Sequence, residues 1–474
     1  MKKLFIGGDL SGIQNFLYNI SSKKAALSLR GRSAYLSDYM QEVYKELVNK
    51  LKKEQEIYND GGKFYCIVED TEQNRKIVDA FAIEKSKQIW EKHFGELAIN
   101  IAYVPYESEK DNDDKETIKN CFGDISEKFR IQKQQKFKDL LIKNYETFFE
   151  PQKIPADIQV CDVTGIESKE LEQIKVGDDT LKVLPSVKEQ INKGIKLKKE
   201  DKDYKDFADY TKGSYLGVLR MDVDSLSKRF QSGFNNWCEY KTFSNKLTGF
   251  FKRENLKNFF DKDFVELIYA GGDDVFAVGK WDKIIDFAYN LHKALDKQFK
   301  EEKIHISGGV AIVDDKFPIS KSAELSGKAE EKAKSSRAEK NAFTLFNETV
   351  SWEQEFETVK QYKEEMWKLV NDYDMPKSIL HQIMYYYELY KEGEKDTQGE
   401  KDNKEKNGNK FKYLWHSAYY LTRFMENKDE EIKYFCVKVR DKRIRDPKVL
   451  RLLAIAARWT ELLKKDEERK EQEK

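Results

Sequence analysis

Glu266-Leu-Ile-Tyr-Ala-Gly-Gly-Asp-Asp-Val-Phe-Ala-Val-Gly279 reads as two β-strands closed by a tight turn. An apolar run climbs to Ala270, and a second leaves through Val275, Phe276, Ala277 and Val278. Gly271 and Gly272 between them permit positive φ at the tip. Two carboxylates, Asp273 and Asp274, follow at once. Adjacent strand residues point to opposite faces, so the spacing predicts one carboxylate on the sheet face and its neighbour at the turn. Glycine and aspartate are also ordinary turn residues, and the hairpin alone does not decide the chemistry.

A second stretch does more. Tyr215-Leu-Gly-Val-Leu-Arg-Met-Asp-Val-Asp224 is a β-like run that ends in acids. Asp222 and Asp224, two residues apart, can share one face of an extended chain. A strand ending in aspartate, then a helix, then an acid-tipped hairpin brings Asp222, Asp273 and Asp274 together. Such an oxygen-rich cluster suits Mg²⁺ or Mn²⁺, and Mg²⁺ is commonly held by one or two carboxylates plus substrate phosphates. A pair of ions so held stabilises both the attacking and the leaving oxygen of a phosphoryl displacement. The pattern points to nucleotidyl transfer with Asp222, Asp273 and Asp274 as catalytic metal ligands. Asp224, Ser225, Gly271 and Gly272 are candidate nucleotide contacts beside them.

The N-terminal segment has the same order of elements. A strand at Leu4-Phe-Ile leads to Gly7-Gly-Asp-Leu-Ser-Gly12, and a helix starts after Ser11 or Gly12. The basic Ser28–Ser33 stretch precedes a long helix over 34–52. Gly61-Gly62-Lys63 then tips a hairpin, followed by a helix over 72–93 and a strand over 97–104. Centrally, Asp222 ends a strand, a helix spans 239–259, Gly271-Gly272 tips the hairpin, a helix covers 281–302 and a strand 305–313. We read an internal duplication of a βαββαβ ferredoxin-like unit, with Lys63 standing where the second copy has Asp273. A lysine is no metal ligand, so the first copy should be silent. Ser11 and Gly12 could still hold a nucleotide at a helix start, or Ser11 could simply cap the helix. Packed face to face, the copies would set the Gly7–Gln14 turn opposite the Asp273-Asp274 hairpin.

Between the copies, 108–117 reads as a charged loop and 118–150 as helix. Cys161 lacks the second cysteine a zinc ribbon needs at 164 and a further pair downstream, so no zinc is expected. After the second copy, Ile306-Ser-Gly-Gly-Val-Ala311 is a strand where a ligand or backbone can pass closely. Lys332, Lys334 and Lys340 lie at or beyond the end of the following helix and could meet phosphates, or could simply answer the helix dipole. From 350 on, helices are predicted over 353–370, 376–390, 411–425 and 447–465, with 391–410 disordered. The dense aromatics at 385–387 and 413–424 read as bundle core. The basic cluster at 438–448 reads as solvated or facing RNA. The fold class is α+β, with domains at 1–107, 108–213, 214–348 and 349–474.

The 474 residues carry 36% charged side chains but a net charge of only +1, which excludes a globally basic nucleic-acid binder. Five cysteines without a CxxC suit a reducing cytoplasm. No signal peptide or membrane span is read, and a soluble, cytoplasmic protein is expected.

Gly8-Asp-Leu-Ser-Gly-Ile-Gln-Asn-Phe16, Ser28–Ser33, Met221-Asp-Val-Asp224, Gly271-Gly-Asp-Asp274, Ser307–Ala311 and Lys340-Asn-Ala-Phe-Thr-Leu-Phe346 together resemble the large, polymerase-like subunit of type III CRISPR effector complexes, best its Csm-type branch. The resemblance implies two palm domains, an insert and a C-terminal helical domain. It implies polymerisation of ATP into cyclic oligoadenylate on recognition of target RNA, with two Mg²⁺ or Mn²⁺ ions at Asp222, Asp273 and Asp274. Implied partners are a small helical subunit, Cas five-like and Cas seven-like backbone subunits, crRNA and target RNA. Many relatives begin with a histidine–aspartate nuclease domain. None of the five histidines here is followed by Asp, and the first palm is read from residue 1, so intrinsic DNA cleavage is not expected. The rival readings are a diguanylate-cyclase-like enzyme, whose signature continues Glu-Phe where this chain has Asp274-Val275-Phe276, and a non-catalytic scaffold.

Overall fold

The computed structural model describes residues 2–21, 24–51, 55–107, 115–143, 145, 157–200, 206–226, 229–230, 234–336, 340–398 and 411–472. They form two compact units. The first comprises Met1–Lys212, Leu216–Ile306 and Ile312–Lys328, and the second Gly213–Tyr215, Ser307–Ala311 and Ala329–Lys474.

The first unit opens with β1 (Lys2–Ser11), α1 (Ile13–Tyr18), α2 (Ala25–Lys50), β2 (Gln55–Asp60), β3 (Lys63–Glu69), α3 (Glu72–His93) and β4 (Ala98–Glu107). Its sheet runs β2-β3-β1-β4, antiparallel throughout. Alternate residues of β1 (Leu4, Ile6, Leu10) meet Met40, Val43 and Leu47 of α2 and Val78, Phe81 and Ile89 of α3. The other face of β1 is covered too. Phe5 packs edge-on against Phe122 at 5.1 Å and stacks on Trp237 at 5.1 Å. Burial on both faces explains why β1 reads as a continuous apolar run rather than an alternating one.

Two sequence expectations are corrected here. The basic Ser28–Ser33 stretch lies inside α2, which starts at Ala25 rather than at 34. Gly31 sits in this helix because another backbone crosses it: a Cβ there would lie 2.0 Å from the Gln190 carbonyl oxygen. The expected 118–150 helix is broken. α4 (Lys115–Gln134) and α5 (Lys138–Lys143) flank Phe137, whose φ of 58° ends the helical run as its ring joins the first core. Residues 108–114 and 146–150 lie outside the described residues.

Small hairpins follow, β5 (Gln159–Val160) with β6 (Glu167–Ser168) and β7 (Glu172–Val176) with β8 (Asp179–Val183). Cys161 is buried here among Val163, Ile174, Val176 and Leu181. Next come α6 (Pro185–Glu200), α7 (Phe207–Thr211), β9 (Leu216–Val223), α8 (Trp237–Phe251), α9 (Arg253–Leu256), β10 (Val265–Gly271), β11 (Asp274–Lys280) and α10 (Trp281–Gln298). The expected 239–259 helix breaks at Lys252, which is extended (ψ 135°). β11 pairs antiparallel with β10 on one side and β9 on the other.

The second unit is built on part of β12 (Ile306–Val313), which pairs in parallel with β13 (Ala342–Leu345), itself antiparallel to β14 (Glu348–Ser351). The close approach expected at Ser307–Ala311 is made by the chain itself: a Cβ on Gly309 would lie 2.4 Å from the Ala329 carbonyl carbon of α11 (Ile319–Ser335). The helices are α12 (Glu357–Asp372), α13 (Ser378–Gln398), α14 (Lys412–Phe424), α15 (Glu430–Lys438) and α16 (Pro447–Gln472), with α16 packed on α12 and α13. α13 continues through 391–398, where disorder was expected. Lys391 is held at 2.7 Å by Glu388 and at 3.5 Å by Glu348. Residues 401–410 lie outside the described residues. Only part of the aromatic set is core. Tyr386, Tyr387 and Tyr413 are buried, while Tyr385, Trp415 and Tyr419 are exposed. Within the basic cluster, Arg443 is buried against Glu365 at 2.7 Å. Among the described residues no helix is long and apolar enough to cross a membrane.

One buried charge ties the first unit together. Glu266 of β10 is paired with Arg30 of α2 at 2.5 Å and with Arg253 of α9 at 2.9 Å, and accepts the Tyr210 hydroxyl of α7 at 2.7 Å. Arg30 and Glu266 are both about 5% exposed. Removing one partner leaves a buried guanidinium uncompensated, so Glu266→Ala is expected to cost about 3–5 kcal/mol. Chemical denaturation of the purified chain measures it, and a cost within error of a surface substitution would contradict the assignment.

Candidate active site

The acids meet where β9, β10 and β11 end together. Register places Asp222 of β9 directly opposite Asp274 of β11, and Asp274 opposite Gly271 of β10. The turn residues are therefore Gly272 and Asp273. Only Gly272 takes positive φ, at 66°, so Gly271 belongs to the strand and the two-glycine tip expected from sequence is a one-glycine tip. The Val223 N–H donates to the Asp273 carbonyl at 3.1 Å and pins the turn to the end of β9. Asp222, Asp273 and Asp274, all half-buried, can each offer an oxygen such that all three lie within 4.8 Å of one another. Three like charges this close repel unless a cation sits among them. An all-oxygen donor set with short reach fits a hard divalent ion. Among the described residues it is the one such cluster.

Asp224 does not join them. β9 ends at Val223, the Asp224 N–H donates to the His305 carbonyl at 2.8 Å, and the residue is 6% exposed. Strand alternation therefore stops one residue too early to carry it to the Asp222 face. Ser225 follows, exposed, at φ 57°.

The first hairpin corrects the alignment of the copies. Gly61 and Gly62 are both turn residues, with φ 58° and 78°, and Lys63 pairs with Asp9 across β1 and β3. Asp9 thus corresponds to Asp222, and Lys63 to Asp274 rather than to Asp273, whose counterpart is Gly62. The sequence comparison slipped by one because the glycine pairs were matched, whereas the turns begin at Gly61 and Gly272. Asp9 is buried, with its carboxylate 2.6 Å from Lys133. Two of three ligand positions are lost and the third is already neutralised.

Residues 215–344 match the model of the Cas10/Cmr2 second palm domain, and residues 2–153 match Csm1 subunit domain B. The chain is similar to the Cas10/Csm1 proteins along most of its length. Its curated relatives include the subtype III-A CRISPR system single-strand-specific deoxyribonuclease Cas10/Csm1 of Enterococcus italicus, 28% identical over 452 residues (80% of this chain, 59% of the relative). That of Mycobacterium tuberculosis is 26% identical over 461 residues (77% and 56%). The chain therefore spans less than two thirds of these relatives' length. Among solved structures, a Csm1–Csm4 cassette in complex with cA4 superposes with TM-score 0.68 at 17% identity, covering 97% of this chain and 70% of that one. A cassette in complex with AMPPNP gives 0.65 at 17%, covering 96% and 70%. These likenesses show a shared Csm1 fold.

Within this Cas10/Csm1 fold the two hairpin tips touch. A Cβ on Gly61 would lie 2.7 Å from Gly272 Cα and 2.8 Å from its nitrogen. The Gly61-Gly62 hairpin is the part of the first copy that meets the acidic tip through Gly272, and Ile13 of the Gly7–Gln14 turn lies against Gly62. Ser11 accepts a 2.6 Å hydrogen bond from the Asn100 amide, and a Cβ on Gly12 would strike the Glu96 carbonyl oxygen at 2.2 Å. Gly12, not Ser11, is the N-cap of α1, so the capping alternative for Ser11 does not hold. In the second unit Lys334 pairs with Glu330 at 2.8 Å, and Lys340 precedes β13 at φ 56°.

A cavity of about 120 Å³ beside the tips is lined by Tyr58, Lys63, Tyr65, Phe122, Tyr240 and Asp273, among others. Burial, with Asp60, Tyr240 and Asp273 nearby, pushes the Tyr58 hydroxyl well above its ordinary pKa, and burial beside Asp274 and Asp273 does the same to Tyr269. Both stay neutral donors at physiological pH. Sequence reading missed these residues. The alternation of Tyr58 in β2 and Tyr65 in β3 was available, but nothing local says that the first hairpin faces the second.

Gly61→Ala and Gly62→Ala separate two costs. Each places alanine in the left-handed region, at about 1–2 kcal/mol. Only Gly61→Ala also drives a methyl into the Gly272 backbone, whereas Gly62→Ala meets the movable end of Ile13. Thermal unfolding should show the left-handed cost in both variants and a larger loss for Gly61→Ala, and Mn²⁺ titration should show weakened metal binding for Gly61→Ala alone. Equal metal affinities would show that the tips do not support one another.

Proposed function

We propose that the chain is the polymerising part of a type III-A CRISPR effector subunit, joining ATP into cyclic oligoadenylate by two-metal nucleotidyl transfer. The observation that carries the reading is the convergence of Asp222, Asp273 and Asp274 on one point at the end of three paired strands. The two βαββ-type halves are read as ferredoxin-like palms, with the domain boundaries drawn from sequence. The first is silent and the second carries the acids. Relatives of this fold have been solved as Csm1–Csm4 cassettes with AMPPNP, pppApApA and cA4. This supports a nucleotide substrate and a Csm4-like neighbour, and we propose crRNA and target RNA as further partners. The relatives' names carry a deoxyribonuclease activity. We assign polymerisation rather than DNA cleavage to this stretch, because none of its five histidines precedes an aspartate.

In this reaction a ribose hydroxyl of the acceptor attacks the α-phosphorus of the donor triphosphate. A P–O bond forms, the bond to pyrophosphate breaks, and the hydroxyl proton leaves to solvent. Mg²⁺ or Mn²⁺ bound by the three aspartates would neutralise charge on the transferring phosphoryl group. The protein's own part is positional. β9–β11 pairing and the Val223–Asp273 hydrogen bond hold the ligands in place without reorganisation, and the apposed tips define where two nucleotides meet.

Asp273→Ala with Asp274→Ala should leave the fold intact and lower product formation by at least a thousandfold, read by mass spectrometry with partner subunits, target RNA and Mg²⁺. Undiminished product would overturn the mechanism. Turnover of GTP alone with none of ATP would favour a diguanylate-cyclase-like enzyme, and no turnover of either by the wild-type complex would favour a scaffold.

A further inference from the structure

The sheet face that carries Asp222 and Asp274 also carries a cation. Strand alternation puts Arg220 on the Asp222 face of β9, roughly 7 Å along the strand. Register sets Arg220 opposite Phe276 of β11, as it sets Asp222 opposite Asp274. The neighbours on that face are apolar: Val218, Ile268, Phe276 and Val278 belong to one buried cluster. A half-buried guanidinium among them carries a desolvation cost that an anion must offset. Its position is defined from two sides. The Tyr18 ring at the end of α1 is centred 5.8 Å from the guanidinium carbon and packs on Phe276 at 4.6 Å. On the other side α11 passes with Gly327, where a Cβ would lie 2.6 Å from Arg220 Nη1. Gly327 is helical and has no positive φ to require a glycine. The room it leaves for the guanidinium accounts for it.

We propose that Arg220 binds the outer phosphates of the nucleotide held at the three aspartates, and that Gly327 is the positioning residue that gives the guanidinium its place. The inference rests on the nucleotidyl-transfer reading and adds to it a phosphate contact made by the chain itself. The aspartates serve the phosphate under attack, and Arg220 stands one strand step away on the same face. A triphosphate anchored at the acids has its β- and γ-phosphates still to place. A planar guanidinium with its fixed fork of donors matches their oxygens, which a lysine does only as a point charge. As the bond to the α-phosphorus breaks, negative charge gathers on the departing pyrophosphate. A cation already held by Tyr18 and the α11 backbone stabilises that charge without reorganising. The competing role for Arg220 is a simple counter-charge to the carboxylates. The two roles differ in what removing the arginine does. Loss of a counter-charge tightens metal binding and leaves the nucleotide alone, whereas loss of a phosphate ligand weakens the nucleotide and leaves the metal alone.

Calorimetric titration of the full chain separates them, first with Mn²⁺ alone and then with AMPPNP or AMP in saturating Mn²⁺. Arg220→Gln should weaken AMPPNP at least tenfold and AMP less than twofold, because AMP lacks the outer phosphates. Arg220→Lys, which keeps the charge and loses the fork, should fall between Arg220→Gln and wild type. Gly327→Ala should weaken AMPPNP at least threefold by displacing the guanidinium. Its unfolding temperature should equal or exceed that of wild type, since alanine suits a helix interior better than glycine. Mn²⁺ alone should bind all three variants as it binds wild type. AMPPNP affinity of wild-type strength in Arg220→Gln would overturn the proposal, as would equal losses for AMPPNP and AMP, or tighter Mn²⁺ binding with the nucleotide unaffected. If Arg220→Gln behaves as expected but Asp273→Ala with Asp274→Ala still binds AMPPNP in a Mn²⁺-dependent way, the metal reading fails and the Arg220 assignment stands.

Discussion

The site depends on two backbones touching at Gly61 and Gly272. A Cβ at Gly61 would come within 2.7 Å of the other tip, closer than real side chains approach, so the hairpins meet at a distance only glycine allows. That approach puts Lys63 and Asp273 on one cavity and turns two separate β-hairpins into two sides of a cleft. The Glu266 cluster acts at a distance from the tips. By pairing with Arg30 and Arg253 it fixes β10 against α2, and so fixes where the acidic tip points.

The duplication is read best as one device kept and one converted. Strand pairing, turn position and the aspartate at the end of the first strand are common to both halves. The first half then departs at the residues that would hold metal: Gly62 replaces a carboxylate, Lys63 reverses a charge, and Lys133 from α4 neutralises the remaining Asp9. Each change lowers the negative charge at the paired ends of β1 and β3 relative to the acidic end of β9 and β11.

Much of this was legible in the sequence because it is local. Apolar runs with a turn between them announce a hairpin, and Asp222, Asp273 and Asp274 fell at strand ends where carboxylates can converge. What failed was also physical. Matching glycine to glycine slipped the copies by one residue, since Gly271 belongs to a strand and Gly61 to a turn. By alternation Asp224 was expected to be able to share the face of Asp222, but β9 stops at Val223 and the His305 carbonyl takes the Asp224 N–H. The basic Ser28–Ser33 stretch was read as preceding the long helix rather than lying within it, and its partners Glu266 and the carbonyls of Phe16 and Asn19 lie far away in sequence or across a turn. The aromatic wall of the cleft draws on β2, β3, α4 and α8, and no window of sequence contains it.

The account turns on whether the three aspartates are a metal site. Anomalous diffraction from crystals of the chain grown with Mn²⁺ and AMPPNP tests this most directly. The account predicts manganese peaks bounded by Asp222, Asp273 and Asp274, with triphosphate oxygens completing the coordination. Manganese absent from that cluster while the nucleotide is bound would contradict it.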